Sequence, residues 1–167
     1  PRDGYVLGLS ITYKNKQGRY ILTDCLDEEC INLLQEIANS YYTIFHNMKF
    51  DFKMIKYHLG IEFPRDKVHD TMVMHYILDE TDTHGLKHLA LKYTEYGDYD
   101  SPLDTFKKEY CVSHSILQED FTYDLIPFDI ISDYAAKDTG VTFEIFHKFW
   151  PILQKNDKLM WVYKKIG

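Results

Sequence analysis

The sequence predicts an α/β domain in which a sheet is flanked by helices, and three observations carry that reading. Tyr5–Tyr13 (YVLGLSITY) and Arg19–Leu22 are runs of β-formers separated by a turn over Asn15–Gly18, the pattern of a hairpin. Tyr41–Phe45 is a mostly apolar run of the kind an interior strand shows, and it leads directly into a helical stripe. Between Pro127 and Phe149 the residues Ile131, Tyr134, Asp138, Val141, Ile145 and Phe149 recur at helical period and mark a long core helix. A chain of 167 residues suits one domain with one core, and no internal repeat or low-complexity tract divides it.

The elements follow in order. Pro1–Gly4 reads as a turn ahead of the hairpin. Asp27-Glu28-Glu29 opens a helix to about Asn39, acid in its first turn complementing the helix dipole, with Ile31, Leu34 and Ile37/Ala38 inward. After Tyr41–Phe45, His46-Asn47 ends the strand and a helix runs to about His58 on the stripe Met48, Phe52, Ile55 and Leu59, with Gly60 as its stop. Val68-His69 is a short strand, and Asp70 is placed to cap a helix over Thr71–Leu78. Gly85–Tyr93 is another helix, with Leu86, Leu89, Ala90 and Tyr93 inward. Tyr96–Tyr123 is the least regular stretch, with one short helix near Leu103–Tyr110. Pro127 suits the first turn of the long helix, Pro151 kinks or restarts it, and Ile152–Ile166 continues helically.

Composition narrows the function. The net charge of −7 argues against a basic nucleic-acid binder held by electrostatics alone. It leaves room for a domain that takes a nucleic-acid end into a metal site, because bound cations invert the local field. Aromatics reach 16%, with 14 Tyr and 10 Phe, and such rings stack on unpaired bases as readily as they build cores. Cys25, Cys30 and Cys111 form no spaced framework, which suits a reducing compartment and gives no zinc pattern. No apolar run reaches membrane length. The histidines at 69, 75, 84, 88, 114 and 147 show no metal-ligand spacing and read as surface or core residues.

Asp138 is the one charged member of the long helix's apolar stripe. A carboxylate on a buried face is costly unless something positive meets it, the alternative being a partly exposed Asp at the edge of a core helix. No Lys or Arg shares the stripe; Lys137, four residues after Asp133, makes a surface pair elsewhere on the helix. Asp138 therefore wants a partner from outside the helix, and a divalent metal suits it. Tyr134, one turn earlier, brings a hydroxyl to the same place. Asn47 and Asp51 repeat the i, i+4 relation where a helix leaves a strand end, the position at which ligands of open α/β sheets collect. Two helices each bringing a polar residue and an Asp to one place is the raw material of a two-metal phosphoryl-transfer site.

Taken in order, HNMKFDFKMI, HDTM, GLKHLA and YAAKDTGVTFEIFHKFWPILQ resemble the 3′–5′ proofreading exonuclease domain of family A DNA polymerases, in the DEDD superfamily branch with Tyr in the last motif. The resemblance spans almost the whole chain. It implies an RNase H-like fold, a mixed five-stranded sheet flanked by helices, and hydrolysis of the 3′-terminal nucleotide of single-stranded DNA with two divalent metals, Mg²⁺ with Mn²⁺ or Zn²⁺ as substitutes. It further implies that Asp138 and Asp51 ligate metal, that Tyr134 orients the attacking water, that Asn47 and Phe50 contact the terminal nucleotide, and that His46 is a substrate neighbour or the end of the strand. Trp150-Pro151 favours this branch over RNase D-like enzymes acting on RNA; a non-catalytic structural domain of a polymerase is the third reading. A polymerase domain in the same parent chain and a cytoplasmic setting in a bacterial or phage-infected cell also follow from the resemblance.

One motif departs from the family. The Asp-x-Glu that such domains carry on their first strand is missing, and Asp27-x-Glu29 reads as a helix start and not as its replacement. The expectation is a single domain over 1–167 lacking its N-terminal strand, that strand belonging in the sheet between the hairpin and Tyr41–Phe45. Asp70-Thr71 is sufficiently explained as a cap, and Lys49 as a solvated side chain or a phosphate neighbour.

Overall fold

The computed structural model describes residues 6–166, so the expected turn at Pro1–Gly4 and the first residue of the expected hairpin lie outside the described residues. The hairpin is β1 (Gly8–Thr12) and β2 (Gly18–Leu22), antiparallel with Gly8 opposite Leu22 and Thr12 opposite Gly18. Helix α1 (Glu28–Ser40) starts at Asp27, whose carboxylate accepts the Cys30 N–H at 2.8 Å. Of the alternatives Ile37 and Ala38, it is Ala38 that turns fully inward. Strand β3 is Thr43–Phe45, shorter than the sequence suggests because Tyr41 and Tyr42 are exposed and unpaired. Helix α2 (Met48–Leu59) ends at Gly60, whose φ of 69° lies in the left-handed region glycine tolerates. Strand β4 (Val68–Asp70) pairs parallel to β3, with Phe45 opposite Asp70.

Helices α3 (Thr71–Leu78) and α4 (Leu86–Tyr93) fall where the apolar spacing puts them. In the stretch expected to be irregular, the short helix placed near Leu103–Tyr110 is there and is longer: α5 runs over Ser101–Ser113, thirteen residues with Pro102 in its first turn, and buries Leu103 and Cys111. Its weak amphipathic pattern hid its ends, since Asp104, Lys107, Lys108 and Glu109 interrupt the apolar residues. Helix α6 (Phe128–Gln154) carries Pro151 inside it and runs on for another turn, so the proline neither restarts nor ends it. The break comes at Lys155–Asn156, where the Asn156 side chain accepts the Leu159 N–H at 3.1 Å and starts α7 (Asp157–Ile166).

Helix α6 is the spine. Val141, Ile145, Phe149 and Leu153 are fully buried against α3, α4 and α7. On its other side the hairpin docks through hydroxyls: Ser10 donates to the Ala135 carbonyl at 2.6 Å, and Ser10 and Thr12 both lie within 2.8 Å of the Thr139 hydroxyl. The approach is close enough that a Cβ at Gly18 would stand 2.6 Å from the Ala136 carbonyl oxygen. The predicted α/β architecture is thus observed, with one difference. Among the described residues the four strands form two separate two-stranded sheets, β1–β2 and β3–β4, and no ladder joins β1 to β3. A cleft lies between them.

Candidate active site

That cleft, about 670 Å³, is lined by β1, by the end of β3, by the first turns of α2 and by the middle of α6. His46, Phe50, Asp51, Tyr134 and Asp138 all contribute to its wall. Five of the six residues singled out in the sequence therefore meet in one place, although they come from segments more than eighty residues apart. Asn47 is the exception: its side chain is exposed and is not among those lining the cleft. Its backbone explains its place, since it takes up the left-handed conformation (φ 64°, ψ 58°) that Asn adopts more readily than most residues and that turns the chain from β3 into α2.

The turn is fixed by Asp70, at the end of the neighbouring strand. Its carboxylate accepts the N–H groups of Asn47 at 3.0 Å and Met48 at 2.9 Å, and also that of Met72 at 2.9 Å. The expected cap on α3 is therefore there, and the same side chain also holds the start of α2. Tyr163 of α7 supports it from behind, its hydroxyl accepting the Asp70 N–H at 3.2 Å and lying 2.9 Å from His69 Nδ1. Asp51 follows within the first turn of α2. Burial, with the fields of Asp70 and Asp138 adding to it, pushes its carboxyl up to about 6.

Asp138 has a partner from outside its helix, but it is a hydroxyl and not a cation: Tyr99. This buried tyrosine, just before α5, donates its hydroxyl to Asp138 Oδ1 and stacks on Tyr134 with ring centroids 5.7 Å apart. Burial raises the Asp138 carboxyl, while the Tyr99 hydrogen bond and the field of Lys87 act in the other direction. Lys87 lies over the Tyr134 ring at 5.8 Å and pairs with Asp100 at 2.7 Å. Burial, with the Asp138 charge beside it, pushes the Tyr134 hydroxyl well above the ordinary tyrosine range, so it stays protonated as a donor. The expected pair of Lys137 with Asp133 is present at 2.9 Å.

His46 has both ring nitrogens engaged: Nε2 donates to the His84 carbonyl at 2.7 Å, and Nδ1 lies 2.9 Å from the Thr71 hydroxyl. The ring wall faces the cleft while the polar atoms hold the fold. Three of the six histidines that show no metal-ligand spacing come together. His75 and His84 meet nitrogen to nitrogen at 2.6 Å, and His75 and His88 both turn Nε2 toward Asp82, at 3.6 and 2.9 Å. They tie the loop before α4 to α3, and through His84 they reach His46. Tyr99, Asp70 and this histidine group are the site residues that sequence reasoning missed or undervalued. HDTM gave a signal for Asp70; nothing in the composition or period around Tyr99 marks it.

The cleft is rich in hard oxygen donors and poor in cations. Two carboxylates, each disfavoured in its charged form by burial, suit a divalent ion of the magnesium type. The set is a partial one, because among the described residues no group of three His, Cys, Asp or Glu side chains is arranged to hold a metal. No described helix is long and apolar enough to cross a membrane.

Comparison with known proteins places the chain. A family model described as a 3′–5′ exonuclease matches residues 1–154. The chain is 53% identical over 169 aligned positions to a DNA polymerase of Escherichia phage T5, covering 97% of this chain and 20% of that protein. It is 33% identical over 124 positions to a DNA polymerase of Bacillus phage SP01, covering 74% of this chain and 13% of that one. The chain thus spans a fifth or less of the length of these relatives.

Proposed function

The chain belongs to the 3′–5′ exonuclease domain family of the family A DNA polymerases, and on that premise we propose that its cleft receives the 3′ end of single-stranded DNA and hydrolyses the terminal phosphodiester as the proofreading part of a DNA polymerase. The observation that carries this is the meeting of Asp51, Tyr134 and Asp138 on one cleft wall, with Phe50 exposed at its mouth. The polymerase relatives support the parent-protein part of the reading.

Each residue has a task in this reaction. Asp51 and Asp138 would hold divalent metal, Mg²⁺ in the cell, with Mn²⁺ or Zn²⁺ able to replace it. The metal, when bound, supplies Lewis-acid polarisation and charge neutralisation at the scissile phosphate. Tyr134 keeps its proton and points a hydroxyl into the cleft, where it orients the attacking water. Phe50 stacks on the terminal base and Asn47 contacts the nucleotide from the rim. His46, its nitrogens occupied, gives the nucleotide a wall. A pair of metals needs more negative charge than two carboxylates bring, and the cleft between β1 and β3 is the place for a strand bearing the Asp-x-Glu of the family. Such a strand would also pair the open edges of the two sheets.

The test is degradation of 5′-labelled single-stranded DNA, beside a matched RNA, in magnesium. The 167-residue chain should degrade DNA very slowly, and an N-terminally extended chain carrying Asp-x-Glu should degrade it from the 3′ end. Asp138→Ala in the extended chain should abolish this. Full activity of the 167-residue chain that survives Asp138→Ala would place the chemistry elsewhere.

A further inference from the structure

The chain is acidic as a whole, yet one helix face is basic and aromatic. On α2 the residues Lys49, Phe50, Lys53, Lys56 and Tyr57 all point to solvent, while Met48, Asp51, Phe52, Met54 and Ile55 turn inward. Phe50 is 56% exposed and Tyr57 68%, large values for rings that could have been buried. Lys56 is paired with Glu62 at 2.6 Å; among the described residues Lys49 and Lys53 have no ion pair. Phe50, Lys53 and Tyr57 stand at i, i+3 and i+7 and so form one row. The row begins in the cleft, since Phe50 is part of its wall.

We infer that this outer face of α2 is a track for single-stranded DNA leading away from the cleft, with Tyr57 stacking on a base and Lys49 and Lys53 meeting phosphates upstream of the terminal nucleotide. The inference rests on the exonuclease reading above; it adds Tyr57, outside the stretches that carry the family resemblance, and gives Lys53 a task beside the phosphate role open to Lys49. The chemistry matches the occupant: rings accept any base face, and lysines accept the backbone without regard to sequence. The dimensions match as well. Seven residues of helix separate Phe50 from Tyr57, about 10 Å at 1.5 Å per residue. A stacked strand rises about 3.4 Å per nucleotide, so the row accommodates about three.

The experiment compares binding of an oligothymidylate of about eight nucleotides with that of a dinucleotide, in EDTA so that nothing is hydrolysed, by fluorescence anisotropy and competition. The double variant Lys53→Ala/Tyr57→Ala changes two exposed side chains and leaves the cleft intact. It should weaken the longer oligomer at least about five-fold and leave the dinucleotide unchanged. Lys53→Ala alone should lower the slope of log K against log salt by about 0.7. Trp161→Ala, an exposed ring on α7, should change neither oligomer. Unchanged binding of the longer oligomer by the double variant, or equal loss for both lengths, overturns the track and leaves the cleft reading standing. A wild-type chain that holds neither oligomer at low salt overturns both.

Discussion

The hydroxyl of Tyr99 donates to the carboxylate of Asp138, thirty-nine residues further along the chain. It is the answer this structure gives to a buried charge on an apolar helix stripe. Tyr99→Phe keeps the ring and its stack on Tyr134 but removes the donor, leaving a buried acceptor unpaired. The expected loss is about 1–3 kcal/mol in urea unfolding. The Asp138 carboxyl already lies above its ordinary value and would rise further, so the loss should be larger at pH 7 than at pH 4. An equal loss at both pH values would show that the carboxylate is not the group affected.

Asp51 is shifted in the same direction as Asp138. Its folded carboxyl titrates at about 6, above the unfolded value of 3.8. Between those values the folded state binds the proton that the unfolded state has released. Stability should therefore fall as pH rises from about 4 to about 6 and stay low above that. Asp51→Asn should flatten that fall and stabilise the chain at pH 7.5 by up to about 3 kcal/mol. Millimolar Mg²⁺ or Mn²⁺ should raise the melting temperature of the wild type at pH 7.5 and leave that of Asp51→Asn nearly unchanged. A variant that gains as much from the metal would remove Asp51 from the ligand set.

Asp70→Ala removes the acceptor of three backbone N–H groups at once. At about 1 kcal/mol or more for each, the chain should lose about 3 kcal/mol or more in chemical unfolding. It also removes one of the two charges that raise Asp51, so in a folded sample the Asp51 titration, followed by NMR, should move toward 4. Unfolding curves that overlay the wild type would mean that the caps carry no weight.

In an N-terminally extended, active chain, Tyr134→Phe should lower kcat about 100-fold or more while the affinity for single-stranded DNA holds, because in the proposed role the hydroxyl orients water, and the ring still packs on Tyr99. A rise in Kd with kcat preserved would assign Tyr134 to substrate binding.

Much of this was legible in the sequence, and the rest was not for identifiable reasons. The helices with a clean stripe, α3 and α6, fall where the spacing puts them. Asp51 and Asp138 stand out as carboxylates beside or within apolar stripes, a local anomaly any reader can find. The core of helix α5 was legible but its full length was not, because its charges fall on the apolar period. Pro151 does not restart the helix, because the lost hydrogen bond is offset by the packing of Leu153, which is fully buried two residues later. Tyr99 could not be found because its role is set by a contact across the fold, and nothing local distinguishes it from the chain's other tyrosines. The histidines around Asp82 read as scattered because loop geometry, not periodicity, brings them together.

The triple acceptance by Asp70 bears on how loss-of-function variants would be interpreted. Under the proposed function, a random screen for defective proofreading would return changes at Asp70 beside changes at Asp51 and Asp138, and by phenotype the three acids would look alike. Only Asp51 and Asp138 line the cleft. Asp70 is the fastener by which two segments, one entering α2 and one entering α3, share a single reference point. A mutator strain altered at Asp70 would therefore have lost alignment and not chemistry, and a second-site change that tightens the start of α2 could restore it. In the proposed roles, no such suppressor could replace a lost carboxylate in the cleft.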